Sequence, residues 1–278
     1  MFHNLKKLTA QAVVCLGFGL IAIPAQSANR ADIQEFLEVT GFDVALESIA
    51  VGAEDAPIIL GLENDAFGIT WSNLVREVFV VDDMKEQALE ILEATLDQKL
   101  LDHAVAFYGS DLGQRLVAAE NLSHMDDDEL KQIAGAQLIE FYATQDDPRP
   151  AYYARMNTAI DPDNLGLRAI QTIQVRFIVA ASRAGVIRQD IDEGALWAQI
   201  ESNQDEVIAA MDASGIAGAA YTYQDFSPED VLIYTEALEH PDMQLVYQLM
   251  NAVHYQVMGD RFEVLATRLG GLQPSEDL

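Results

Sequence analysis

The side chains most able to do chemistry in this chain are acids. It holds 45 Asp and Glu against 16 Lys and Arg, with five His and a single Cys. Two carboxyl groups flanking a glycosidic bond can hydrolyse it, one as general acid and one as base or nucleophile. With acids this abundant, pairs occur throughout the sequence, and only a fold can bring two to working distance. One acid stands apart. Glu120 falls two turns after Leu112, on the inward face of an amphipathic stretch. Burial raises the pKa of a carboxyl and suits it to general-acid work. An internal pair with Arg115 or another arginine is the simpler reading, because structural ion pairs also perturb acids.

Other chemistries find less support. Beyond the N-terminal leader the histidines are His103, His124, His240 and His254. No two lie three or four apart, so no helical face offers a ready metal pair. His124 and His240 each fall at a helix end, where imidazole suits the dipole, and His254 lies on an apolar helix face. The stretch from Asp161 to Gly166 starts like a calcium loop, but Leu165 and Thr172 stand where ligands 5 and 12 should be. The stretch from Asp190 to Gly194 fails similarly, and Asp126 to Glu129 reads as a solvated helix start. There is no nucleophile elbow and no phosphate-cradling glycine loop after the leader. No motif asks for a cofactor, and no metal site or catalytic residue is assigned.

The elements that must position these residues are helices. Met84, Ala88, Leu92 and Leu96 step by four. Leu130, Ile133, Ala134, Leu138, Phe141 and Tyr142 follow a three-four rhythm, as do Leu167, Ile170, Ile173, Phe177 and Ala181. The longest such stripe runs from Met243 through Val246, Tyr247, Met250, Val253, Val257, Phe262 and Leu265 to Leu269. Ser227-Pro228 offers an N-cap and a proline at the first helical position, and Asp126 offers a second cap with Glu129 three residues on. Gly41, Gly109 and Gly185 sit where helices should stop. Asp146-Asp147-Pro148-Arg149-Pro150 is the clearest mid-chain break. Arg155, Arg168, Arg176 and Arg183 are expected to pair internally with carboxylates, with a local anion site on that helix as the alternative. Trp71, Trp197, Tyr221 and Tyr223 are expected mainly in the core.

Residues 1–27 read as a secretory signal. Lys6 and Lys7 are followed by an apolar stretch from Leu8 to Ile23, then Pro24 and small residues at Ala25 and Ser27, which place a cut between Ser27 and Ala28. The apolar stretch is short of the roughly 20 residues a bilayer requires. Cys15 lies inside it, so the exported chain would carry no thiol and no disulfide. Loss of the two lysines takes the net charge from −29 to −31. Such a surface repels nucleic acid and anionic lipid alike. It fits a binder of cations or basic partners, or a protein adapted to salt.

A shift of 131 residues lays Leu100-Leu101 on Val231-Leu232 and Asp111-Leu112 on Asp242-Met243. Each copy reads as helix, tight break, helix. Under the same shift Glu120 lands on Asn251, also facing inward. Two related modules would explain this, as would chance matching of amphipathic hairpins.

The stretch from Ala106 to Arg115 carries Phe107-Tyr108, then Ser110, then Gly113-Gln114-Arg115. This hairpin signature resembles that of an exported bacterial helical family, domain of unknown function twenty fifty-nine, over about Trp71 to Tyr142. The family pattern often has proline after the serine, where this chain has Asp111. The resemblance implies an all-helical protein of the bacterial envelope, or a secreted one, with no assigned reaction. The signature itself is partly structural, since Gly109 can end one helix and Ser110 cap the next.

The expectation is an all-α bundle of about ten to twelve helices behind a signal at 1–27. Two related halves, 28–147 and 148–278, would share one core. Its preferred role is a non-enzymatic exported protein, periplasmic or secreted, that binds an unknown protein or small molecule between its helices. No membrane span is expected in the exported chain, and nothing in it reveals the oligomeric state. The alternatives are an envelope-polymer hydrolase using paired carboxylates and a cation-responsive acidic module.

Overall fold

A computed structural model describes residues 28–63, 65–187 and 190–269. The expected signal, Ser27 included, lies outside the described residues. The first helices are α1 (Arg30–Thr40), α2 (Phe42–Ala53), the single turn α3 (Ala56–Ile59), α4 (Ile69–Val78) and α5 (Val81–Thr95). Then come α6 (Gln98–Tyr108), α7 (Asp111–Met125), α8 (Asp128–Thr144), α9 (Arg149–Ile160) and α10 (Leu165–Arg183). The chain continues through α11 (Glu193–Ser202), α12 (Gln204–Thr222), α13 (Pro228–Leu238) and α14 (Pro241–Leu269). The fold is all-α, with no strand element among the described residues. Among the described residues, thirteen helices of ten residues or more slightly exceed the expected count. Some abut closely: α11 and α12 are parted only by Asn203.

Local chemistry sets the boundaries. Asn29 accepts from the Ala31 and Asp32 amides and starts α1, and Ser227 caps α13 ahead of Pro228. Gly41 ends α1 and Gly185 follows α10, both with positive φ that glycine adopts without strain. Gly109 ends α6 from an ordinary right-handed conformation. The cap of α8 is Asp127, one residue later than expected. Asp126 instead accepts a hydrogen bond from the Tyr221 hydroxyl at 3.0 Å.

One hydrophobic cluster runs from Ala28 to Leu269 and draws on both sides of residue 147. Met84, Ala88, Leu92 and Leu96 are all buried in it, as is the stripe along α14. Trp71 is buried and donates its indole N–H to the Ala53 and Glu54 carbonyls, whereas Trp197 is only half-buried, on a helix with no buried residue. α8 departs from its pattern. Tyr142 and Gly135 are buried, but Leu130, Ile133 and Phe141 face solvent. The reason is that α8 packs on α12 through Gly135, which lies hard against the Ala217 backbone. The smallest residue, not the most apolar stripe, marks that contact.

The mid-chain break is tight and pinned. Asp147 and Arg149 form an ion pair at 2.7 Å with both side chains largely buried. The guanidinium lies over the Tyr142 ring, 4.0 Å from its centroid, and donates to the Phe226 carbonyl at 3.1 Å. The end of α8, the start of α9 and the α12–α13 connection are thereby tied together.

Candidate functional site

The α6–α7 hairpin builds the first wall of the site. Ser110 Oγ accepts the Gly113 amide at 3.1 Å and starts α7. Any Cβ at residue 113 would run into the Phe107 carbonyl and the Tyr108 backbone, so the tight turn requires glycine there. Gln114 Nε2 donates to the Tyr108 carbonyl at 2.7 Å. Arg115 pairs with Asp230 at 3.3 Å and approaches the Phe226 ring; it does not pair with Glu120. Phe107 stacks on Tyr234 with ring centroids 5.7 Å apart. These contacts fix the end of α6 so that Tyr108 points into the bundle, and α7 carries Glu120 to the same place.

Three further tyrosines meet them there. Tyr223 and Tyr234 each donate their hydroxyl to Glu120 Oε1, at 2.7 Å and 2.7 Å. The hydroxyls of Tyr108, Tyr234 and Tyr247 form a triangle with sides of 3.0, 3.1 and 2.5 Å. The five contacts have only four hydroxyl protons to fill them while Glu120 is ionised. A proton on Glu120 supplies the fifth donor, so the neutral acid saturates the network. Burial acts in the same sense and raises the Glu120 pKa, while the tyrosine hydrogen bonds oppose it. The hydroxyls of Tyr108, Tyr223 and Tyr234 are held well above the usual range, by burial first and by neighbouring ionisable groups. They act as fixed donors, not as acids.

The tyrosine hydrogen bonds to Glu120 fall on Oε1, and the residue lines open space on two sides. A cavity of about 350 Å³ lies between α7, α9, α12, α13 and α14, lined by Glu120, Ser123, His124, Asn157, Gly218 and Tyr223 among others. A second, of about 240 Å³, lies across the same wall and is lined by Glu120, His124, Asn251, His254 and Tyr255 with the Gly41 turn. Among the described residues lining either one, Glu120 is the only acid, and no Lys or Arg is present. His124 and His254 flank it as neutral imidazoles. Burial lowers both, His254 to about 4. Asn251 does share the cavity with Glu120, and its side chain donates to the Ile160 carbonyl at 3.0 Å.

The remaining candidates are placed as follows. Asp161 accepts the Leu165 and Gly166 amides and caps α10, Asp192 caps α11, and Asp127 caps α8. Their carboxylates serve helix starts and do not converge as calcium ligands. Arg155 pairs with Glu239 through two hydrogen bonds of 2.8 and 2.7 Å. Arg168, Arg176 and Arg183 correct the expectation of internal pairing. They stand exposed on α10, and among the described residues no carboxylate lies within ion-pair reach of them. The sequence missed the convergence of Tyr223, Tyr234 and Tyr247 on Glu120, because 103 and 114 residues separate the first two from it. The shift of 131 residues was the only available signal, since it aligned the two hairpins that supply most of the cluster. It also missed His103 beside His240, which share no local pattern.

Residues 82–144 match a protein family described as "Uncharacterized protein conserved in bacteria (DUF2059)". That segment covers α5 to α8 and so includes Tyr108 and Glu120, together with every residue of the hairpin signature. The tyrosines at 223, 234 and 247 lie outside it. No curated protein and no solved structure matches the chain. Among the described residues no helix is long and apolar enough to cross a membrane.

Proposed function

We propose that this chain is a non-enzymatic binding protein of the bacterial envelope, and that its ligand is a small organic cation held at Glu120. The carrying observation is the lone carboxyl. Glu120 Oε1 is taken by two tyrosines, Glu120 lines both cavities, and among the described residues no other acid and no Lys or Arg lines them. An ammonium group at the carboxylate would take the place of the proton that burial favours there, balancing the charge of the ionised acid. The surplus of negative charge on the chain draws cations toward it. At Glu120 hydrolysis by a carboxylate pair is not supported, since it needs a second acid about 5–10 Å away, and neither cavity that Glu120 lines supplies one.

The test is calorimetric titration with short aliphatic amines, alongside carboxylates of equal size. Amines should bind with release of a proton and with affinity rising with pH, and Glu120→Gln should abolish binding while the protein stays folded. Equal binding of carboxylates, or amine binding that survives Glu120→Gln, would overturn the reading.

Export belongs to the same proposal. It is supported by the pattern of residues 1–27 and by Ala28, which is buried and donates its backbone N–H to the Leu96 carbonyl at 3.1 Å. A free α-ammonium at Ala28 could make that bond too. Recovery of protein beginning at Ala28 from the periplasm or the medium is the expected result.

A further inference from the structure

A second site lies away from the tyrosine cluster, where α6 meets the α13–α14 turn. His103 on α6 and His240 just before α14 stack their rings with centroids 4.3 Å apart and planes at 27°. Asp242, the second residue of α14, lies beside them. One ligand atom from each of the three falls within 4.8 Å of the others. The geometry points to a divalent transition-metal site formed by His103, His240 and Asp242.

The donor set selects the metal class. Two imidazoles and one carboxylate suit zinc, copper or nickel, whereas calcium and magnesium need a shell of oxygens. Partial burial, then the neighbouring His240, keeps His103 toward its neutral form. Tetrahedral ligands at about 2.0 Å from zinc stand about 3.3 Å apart, so the three groups need draw together by no more than roughly 1.5 Å. His240 is exposed and is the arm that moves. In doing so its Nδ1 gives up a 3.2 Å bond from the Asp242 amide, a helix-start N–H that water can satisfy. Lys99 now occupies Asp242 Oδ1 at 2.8 Å with a side chain 73% exposed. It acts as a displaceable stand-in for the metal charge. With three protein ligands, a fourth position remains for water or another donor.

The test uses the full chain, stripped with chelator and titrated with Zn²⁺ or Cu²⁺, with Ca²⁺ as the control for binding to the acidic surface. One equivalent of Cu²⁺ should show nitrogen couplings in its electron paramagnetic resonance spectrum. His240→Ala changes an exposed side chain, and circular dichroism checks that it folds. It should weaken binding at least about tenfold, by the scale of losses at metal sites, and His103→Gln should act alike. Lys99→Ala should tighten binding. An oxygen-only copper spectrum, or affinity for Zn²⁺ and Cu²⁺ untouched by His240→Ala and His103→Gln, would overturn the site.

Discussion

The hydroxyls of Tyr108 and Tyr234 lie 3.0 Å apart although 126 residues separate them in the chain. Each belongs to the first helix of a hairpin, α6–α7 or α13–α14, and the second helices contribute Glu120 and Tyr247. The two hairpins meet through these side chains, so the buried network is also a joint between distant parts of the sequence.

Tyr234→Phe deletes a donor to Glu120 and a corner of the hydroxyl triangle. We expect a loss of about 1–3 kcal/mol of stability, the usual cost of leaving buried polar groups unmatched. Urea denaturation measures it. Combined with Glu120→Gln, the two effects should be non-additive by more than about 0.5 kcal/mol; additive effects would show that the two groups do not share a network.

Glu120 makes stability fall as pH rises. Its folded pKa lies above the model-compound value of 4.5, so the folded protein binds the proton more tightly than the unfolded chain. The favourable contribution is complete below about 4.5 and is lost as pH climbs through the folded value. Glu120→Gln removes this dependence and keeps an acceptor for the tyrosines. Unfolding curves from pH 4 to 8 should show the variant gaining on the parent as pH increases. Parallel curves would contradict the burial of this carboxyl.

His254 works in the opposite direction. Folding lowers it from 6.5 to about 4, through burial and then the nearby His124. Its contribution is fully present above 6.5 and disappears as pH falls toward 4, an amount up to about 3 kcal/mol at 1.36 kcal/mol per pKa unit. Between 4.5 and 6.5 the two groups partly offset each other. A proton NMR titration of the imidazole should give a midpoint near 4; a midpoint near 6.5 would place His254 in water.

Gly135→Ala should cost about 1–3 kcal/mol, the range for overpacking a close contact. A Cβ there overlaps the Ala217 carbonyl, and backbone on both sides leaves nothing flexible to move. A thermal melt unchanged from the parent would mean that α8 and α12 stand farther apart.

The helical architecture was legible because apolar periodicity is a local property. Met84, Ala88, Leu92 and Leu96 announce their buried face without reference to anything else. The stripe on α8 misled for a physical reason: a helix on the outside of a bundle needs only one line of close contact, and Gly135 provides it. Glu120 stood out because its spacing from Leu112 turned it inward. Its partners did not, since hydrogen bonds across more than 100 residues leave no mark in either segment. His103 and His240 illustrate the same limit, as neither holds a ligand spacing with any other histidine in the sequence.

At 29 residues, α14 extends for about 44 Å. It touches α2, α4, α5 and α6 from the earlier part of the chain and α9, α10 and α13 from the later part. It is a common backbone to which both sets of helices are fastened. When this spine lets go, the helices seated on it from both sets lose their shared support together.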